Sequence, residues 1–248
     1  MKKLINLVGI LMVVVLVGCG KEEVQTKKLY IGTNAEYKPY EYIENGEITG
    51  FDIEFMEELA KNLGYEIEWK NLSFDGLLPA LQTHKIDLVI AGMSPTEERK
   101  KAVDFTDIYH SGGQAVLVNK ENNEIKSAED LKGKTIGVQL GSLQEGIASK
   151  IEGTEVKNYN SFTGAVLELN AQKIDAVIVG DIVADNYLEN NKNLKKISLS
   201  EKQQEGTNGI AIALEKDQAE LLKSLNEGIE ELKENGQYQE LLNKYFGG

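Results

Sequence analysis

The chain has 248 residues, a formal net charge of −13 and a single cysteine. Such acidity provides no basic stripe for nucleic-acid phosphates. One cysteine provides no disulfide framework, so stability must come from a packed core, which this length supplies for two lobes.

Lys2 and Lys3 precede an apolar run, Leu4 to Gly18, that is shorter than the ~20 residues a membrane span requires. The run ends Leu16-Val17-Gly18-Cys19, which resembles the lipobox of bacterial lipoproteins. The expectation is a signal peptide over 1–18, acylation of Cys19, and a body tethered by lipid outside the cytoplasmic membrane, on its periplasmic side or at the cell surface. Loss of Lys2 and Lys3 takes the mature chain to a charge of about −15. Residues 19–27 are polar and read as a tether.

Leu29 to Gly32 reads as a strand. Apolar residues at 51, 55, 56, 59, 60 and 63 predict a helix that stops at Gly64. Glu66 to Trp69 alternates as a strand, with Trp69 assigned to the core. Leu77 to Leu81 fits a short helix, and Ile86 to Ala91 a buried strand. Strands alternating with helices predict α/β layers with much of the sheet parallel.

Lys85-Ile86-Asp87-Leu88-Val89-Ile90-Ala91-Gly92 returns as Lys173-Ile174-Asp175-Ala176-Val177-Ile178-Val179-Gly180. Both copies follow a helical stretch and end at glycine, which predicts two similar lobes, each presenting a strand end and a loop. Two extended segments, Gly112 to Val118 and Gly206 to Ile212, are placed as the connections. Two crossings divide the chain into 28–112 and 209–248 for one lobe and 113–208 for the other. Leu221 to Leu232 and Tyr238 to Phe246 are predicted as returning helices.

Ser94-Pro95-Thr96-Glu97 reads as a capping box with proline at the first helical position. Ser142-Leu143-Gln144-Glu145 repeats the S-x-x-E pattern after the strand Thr135 to Val138. Two helix starts, one per lobe, are suited to flank a carboxylate. Arg99 is the sole arginine in the chain, beside 26 lysines among its 27 basic residues. Its five-donor fork binds a carboxylate bidentately, which lysine does not; the alternative is a surface partner for an acidic neighbour. An amino acid ligand also needs a counter-charge for its ammonium, for which Asp181 is placed, with a helix N-cap as its other role. Asn34 offers an acceptor, and Tyr37 and Phe74, in loops after strands, can sandwich a side chain. Glu36 either reaches a guanidinium or faces solvent. His84 and His110 are isolated, so no metal site or cofactor is expected.

The segments Gly32 to Glu41, Gly50-Phe51-Asp52-Ile53 and Asp87 to Lys100 closely resemble the polar amino acid-binding proteins. These are the family 3 extracellular solute-binding proteins of ABC importers. The similarity continues through Phe105-Thr106-Asp107, Asp130 to Lys134, Gly209-Ile210-Ala211 and Gly236-Gln237-Tyr238, and so spans nearly the whole mature chain. It implies the two-lobe, type II periplasmic-binding-protein architecture, with two hinge strands, no catalysis, a monomeric body and a membrane permease as partner. Position by position, it implies Arg99 on the ligand α-carboxylate, and Ser94 with the Ala91 and Gly92 backbone on the head group. Tyr37 and Phe74 fall on stacking positions, and Gln139, Ser142, Leu143 and Gln144 on the second-lobe contact loop. Asp181 matches the ammonium-binding acid with one inserted residue; without the gap, Gly180 stands there.

Asn34 replaces the aspartate of some lysine- and histidine-binding members, and Leu143 a common hydroxyl residue. Ala91-Gly92-Met93 and Val138 to Ser142 resemble arginine-preferring members. The implied ligand is a polar L-amino acid, arginine or another basic one first, then glutamine or histidine. Two rivals stand beside it: a dehydratase acting on cyclic acids on the same fold, which needs a cleft acid–base pair, and a sensory module, which needs a helix continuing past Phe246.

Overall fold

The computed structural model describes residues 27–199 and 209–247. Cys19, the 1–18 segment, nearly all of the 19–27 tether and the start of the second connection, Gly206 to Asn208, lie outside the described residues.

Strand β1 (Lys27–Thr33) leads into a small antiparallel sheet of β2 (Glu36–Tyr37), β3 (Glu41–Glu44) and β4 (Glu47–Thr49). Helix α1 (Phe51–Asn62) buries Phe51, Phe55 and Leu59 on one stripe and Asp52, Met56 and Ala60 on the next; Gly64, at φ +76°, lies just past its end. Strand β5 (Tyr65–Asn71), helix α2 (Phe74–Gln82) and strand β6 (Leu88–Val89) follow. Next come helix α3 (Glu97–Ala102), β7 (Asp104–Phe105) and β8 (His110–Ser111). The second set is β9 (Gln114–Asn119), β10 (Thr135–Gln139), α4 (Leu143–Ser149), β11 (Glu155–Tyr159) and α5 (Phe162–Asn170). It continues with β12 (Ala176–Gly180), α6 (Asp181–Asn190) and β13 (Leu194–Ser198). The chain returns through β14 (Gly209–Ile210) and β15 (Ala213–Leu214) to α7 (Ala219–Glu234) and α8 (Gln237–Phe246).

Two five-stranded sheets result, ordered β5-β1-β6-β15-β7 and β11-β10-β12-β9-β13. In each, the first three strands run parallel and the fourth runs antiparallel to both its neighbours. The fourth strands are the ones that arrive from the connections. β8 and β14 pair antiparallel, Gly209 with Ser111 and Ile210 with His110, and each runs on into the sheet it enters. This is the two-lobe α/β arrangement that the alternating elements and the internal echo predict.

The echo is a structural duplication. Asp87 Oδ2 accepts the Tyr30 N–H at 2.7 Å, and Asp175 Oδ2 accepts the Thr135 N–H at 2.8 Å. A methyl group on Gly32 would strike Ile86 Cδ1, and one on Gly137 would strike Ile174 Cδ1. Both echo strands take the middle position of their sheet, as their buried apolar runs require.

Four sequence expectations are corrected. The buried run Ile86 to Ala91 is regular strand only at Leu88–Val89. Phe74 opens α2 instead of lying in a loop. Trp69 is half-buried because β5 is an edge strand; its indole N–H donates to Glu57 at 3.3 Å. Ser94 does not cap α3. Thr96 does, its hydroxyl accepting the Arg99 N–H at 3.3 Å, because the Thr96 N–H already folds back to Ser94 O and holds that stretch in a turn. Among the described residues, no helix is long and apolar enough to cross a membrane, and no cluster of three metal-ligating side chains occurs.

Candidate functional site

One cavity lies between the two sheets, walled by residues of both. All twelve candidate ligand-contact residues line it: Asn34, Tyr37, Phe74, Ala91, Gly92, Ser94, Arg99, Gln139, Ser142, Leu143, Gln144 and Asp181. They come from the ends of β1, β5, β6, β10 and β12 and the segments just after them, where loops and helix starts diverge while the strands stay fixed.

Arg99 is anchored by α3 and half-buried. Its Nη1 donates to Ser94 O at 2.7 Å, and its Nη2 donates across the cleft to Gly141 O at 2.9 Å. Two of five N–H donors are thereby used; the other three have no protein partner among the described residues. The guanidinium lies 5.4 Å from the centre of the Phe74 ring. No carboxylate of the described residues pairs with it, so the acidic-neighbour alternative does not hold. Burial pulls it down to about 10, still fully charged at neutral pH. The cleft therefore presents a desolvated, uncompensated cation.

The helix-start part of the expectation is weaker than predicted. α3 has 6 residues and α4 has 7, too short for a sizeable dipole, and α3 begins beyond Ser94. Ser142 does cap α4, accepting the Glu145 N–H at 3.2 Å. Glu145 itself reaches the Gly141 N–H at 2.7 Å instead of closing the box on Ser142. The Gly92 N–H is also committed: it donates to Asp52 Oδ2 at 2.7 Å.

Amides and aromatics form the rest of the wall. Gln139 Nε2 donates to Asn34 Oδ1 at 2.9 Å, joining the lobes, while Asn34 Nδ2 donates to Leu72 O at 2.8 Å. Gln144 Nε2 donates to Gln114 Oε1 at 2.7 Å. Tyr37 stacks 5.8 Å from Tyr40 and packs 5.4 Å from Phe162 of the opposite lobe. Its hydroxyl accepts the Gly180 N–H at 3.1 Å, and burial holds the phenol well above its usual range. Glu36 is exposed and outside the cavity.

Asp181 occupies the first position of α6, with Gly180 as the N-cap. Its carboxylate is an ion-pair partner of Lys196 Nζ at 3.0 Å, which also holds Asp185 at 2.6 Å. Sequence reasoning missed Tyr40, Glu41, Gly112, Gly113, Gln114, Phe162, Ile182, Gly209 and Ile210. Several of these belong to the two connections, which the Gly-rich segments already marked. Glu41 and Phe162 carried no such signal.

A cavity enclosed by two α/β lobes joined through paired strands, with one unpaired guanidinium inside, defines a small-molecule receptor of the type II two-lobe architecture. The family model for bacterial extracellular solute-binding proteins, family 3, matches residues 29–248, and the chain belongs to that family. It is similar to the arginine-binding extracellular protein ArtP of Bacillus subtilis (strain 168), 41% identical over 256 residues covering 100% of this chain and 99% of the relative. A probable histidine-binding protein of Campylobacter jejuni is 38% identical over 89% of this chain and 85% of its own. The solved structure of an ancestral arginine-binding protein bound to arginine superposes with a TM-score of 0.83 at 43% identity, covering 89% of this chain and 98% of that one.

Proposed function

We propose that this protein captures a free polar L-amino acid outside the cytoplasmic membrane and delivers it to the permease of an ABC importer, without catalysis. The carrying observation is Arg99: a half-buried guanidinium that has three unused donors and no acidic partner among the described residues, set where both lobes meet. A ligand carboxylate supplies the missing counter-charge, and bidentate pairing fixes its orientation. Ser94, Ala91 and Gly92 border that head-group region from the first lobe, and Ser142, Leu143 and Gln144 from the second. Tyr37, Phe74, Asn34 and Gln139 line the side-chain region.

Arginine or another basic amino acid is the favoured ligand, supported by the named preferences of the relatives and by the aromatic walls, which suit a planar cation. Glutamine or histidine is the second reading. It rests on the amide-rich polar wall of Asn34, Gln114, Gln139 and Gln144, from which Glu36, a candidate guanidinium partner, is absent. The lobes are assigned to 28–112 with 209–248, and to 113–208, with Cys19 as the lipid anchor of a monomeric body.

Calorimetric titration of the mature protein with the twenty amino acids tests this reading. One or a few basic or amide amino acids are expected to bind tightly. Absence of binding to all twenty, or conversion of prephenate or arogenate to an aromatic product, contradicts it.

A further inference from the structure

The proposed ligand brings an ammonium into the cleft as well as a carboxylate, and the acid that the family resemblance implies for it, Asp181, already has a lysine partner. A buried acid of the first lobe stands in a better position. β2 and β3 pair so that Glu41 lies opposite Tyr37, which turns both toward the cavity wall. Glu41 is 1% exposed, has no basic partner among the described residues, and its Oε2 meets no donor of the protein. Its Oε1 faces Gly92: a methyl group built on that residue would lie 3.8 Å from it. Gly92 belongs to the Ala91 to Ser94 stretch that Arg99 grips through Ser94 O. Carboxyl and guanidinium therefore flank one segment, as the two ends of a zwitterion require.

Asp52, from α1, shares the pocket. Its Oδ2 accepts the Gly92 N–H at 2.7 Å and the Tyr109 hydroxyl at 2.8 Å, and its Oδ1 has no other donor. Burial, then the neighbouring Asp52, raises the Glu41 carboxyl well above the usual range; burial lifts Asp52 to about 6 against the pull of its hydrogen bonds with Gly92, Tyr109 and Glu41. Two carboxyls buried against one another disfavour carrying two charges at once, so the pair titrates as a unit beside the cavity.

Geometry on the far side removes the competing position. Without a gap, the family resemblance implies Gly180 at the ammonium-binding position. Here the Tyr37 hydroxyl fills that space: any Cβ at 180 would collide with it. The next residue, Asp181, turns its carboxylate to Lys196.

We propose that the Glu41–Asp52 pair, through Glu41 Oε1, is the counter-charge for the ligand ammonium in this protein, and that Asp181 takes no direct part. This rests on the amino-acid reading above. The test compares L-arginine with 5-guanidinopentanoate, the same molecule without its α-amino group, by calorimetry on wild type, Glu41→Leu and Asp181→Asn. Wild type is expected to prefer L-arginine by roughly 100-fold, as removal of one partner from a buried charge pair implies. Asp181→Asn keeps that ratio within about threefold, and Glu41→Leu reduces it below about 10-fold. Structural damage alone would weaken both compounds together and leave the ratio untouched.

A ratio that survives in Glu41→Leu, or collapses in Asp181→Asn, overturns the assignment while leaving amino-acid capture standing. Wild type that binds no amino acid removes both. Should Glu41→Leu fail to fold, a crystal structure of the wild-type complex with L-arginine decides. An ammonium nitrogen within about 3.2 Å of a Glu41 oxygen supports the assignment, and one bound to Asp181 away from Glu41 refutes it.

Discussion

β6 in the first lobe and β12 in the second hold the same place in sheets of the same strand order and direction, yet the segments leaving them do opposite things. After β6 the chain turns through Gly92 and Ser94 to deliver Arg99, and Glu41 and Asp52 pack beside that turn. After β12 it enters α6 at once, offering the cleft a backbone N–H and the bare face of Gly180. The second lobe's other contributions are amides, a hydroxyl, carbonyls, the apolar Leu143, Phe162 and Ile182, and Asp181, whose carboxylate is paired with Lys196. Duplicated framework and unequal chemistry follow from different demands. Strand interiors must pack at fixed spacing, whereas the tips need only reach the ligand. A first lobe that carries the unpaired charges can hold a zwitterion by itself, and a second lobe whose lining carboxylate is already paired with Lys196 can then close over it without bringing in an unpaired charge.

The framework half of this comparison breaks or holds in paired substitutions. Ile86→Ala and Ile174→Ala remove equivalent side chains, 2% and 5% exposed, that pack over Gly32 and Gly137. Each is expected to cost about 2–5 kcal/mol of stability by urea denaturation, with the two values within about 1 kcal/mol. A large inequality would show that the likeness is in sequence only. Asp87→Ala and Asp175→Ala each orphan one backbone N–H of the neighbouring strand, for roughly 1 kcal/mol each. Asp175 should be the costlier, because Thr135 is less exposed than Tyr30.

The cleft half is sharpened by Tyr37→Phe, which keeps the ring packing on Tyr40 and Phe162 but deletes the acceptor of the Gly180 N–H. Ligand affinity should fall by about 0.5–1.5 kcal/mol with little change in melting temperature. An equal drop in melting temperature for the empty protein would make the contact a structural one.

The smallest effect is a pH slope confined to the first-lobe side. Burial against Phe246 and Phe51 pulls His110 down to about 4 from an ordinary 6.5. Its folded value lies below its unfolded one, so as pH falls from 6.5 toward 4 the unfolded chain takes up the proton first and stability declines. Asp52, raised to about 6 from 3.8, acts in the opposite sense: the folded state binds its proton first, and acidification through that window adds stability. His110→Gln should therefore leave a protein whose melting temperature declines less, or rises, between pH 6.5 and 4. An unchanged slope would remove His110 from the account.

Much of this was legible because it depends on local period and composition. The stripe in α1, the Gly64 stop and the echo around Asp87 and Asp175 are all pattern. Arg99 stood out as the sole arginine. What escaped depends on groups distant in sequence. Nothing local in Tyr40-Glu41-Tyr42 marks its glutamate, and only Asp52 from α1 and the turn at Gly92 reveal a carboxyl pocket. Phe162 gains its place in the cavity wall only when Tyr37 arrives from the other lobe. Ser94 looks like a cap because S-P-T-E contains two candidate hydroxyls, and the choice of Thr96 rests on a backbone turn that sequence spacing does not encode.

The most direct test of the central claim is calorimetric titration of L-arginine into wild type and Arg99→Ala, with far-UV circular dichroism on both. Tight binding to wild type is expected, with a loss of at least ~100-fold in a natively folded variant, the range set by leaving a buried carboxylate without its guanidinium. Affinity in folded Arg99→Ala within a few-fold of wild type would contradict that claim.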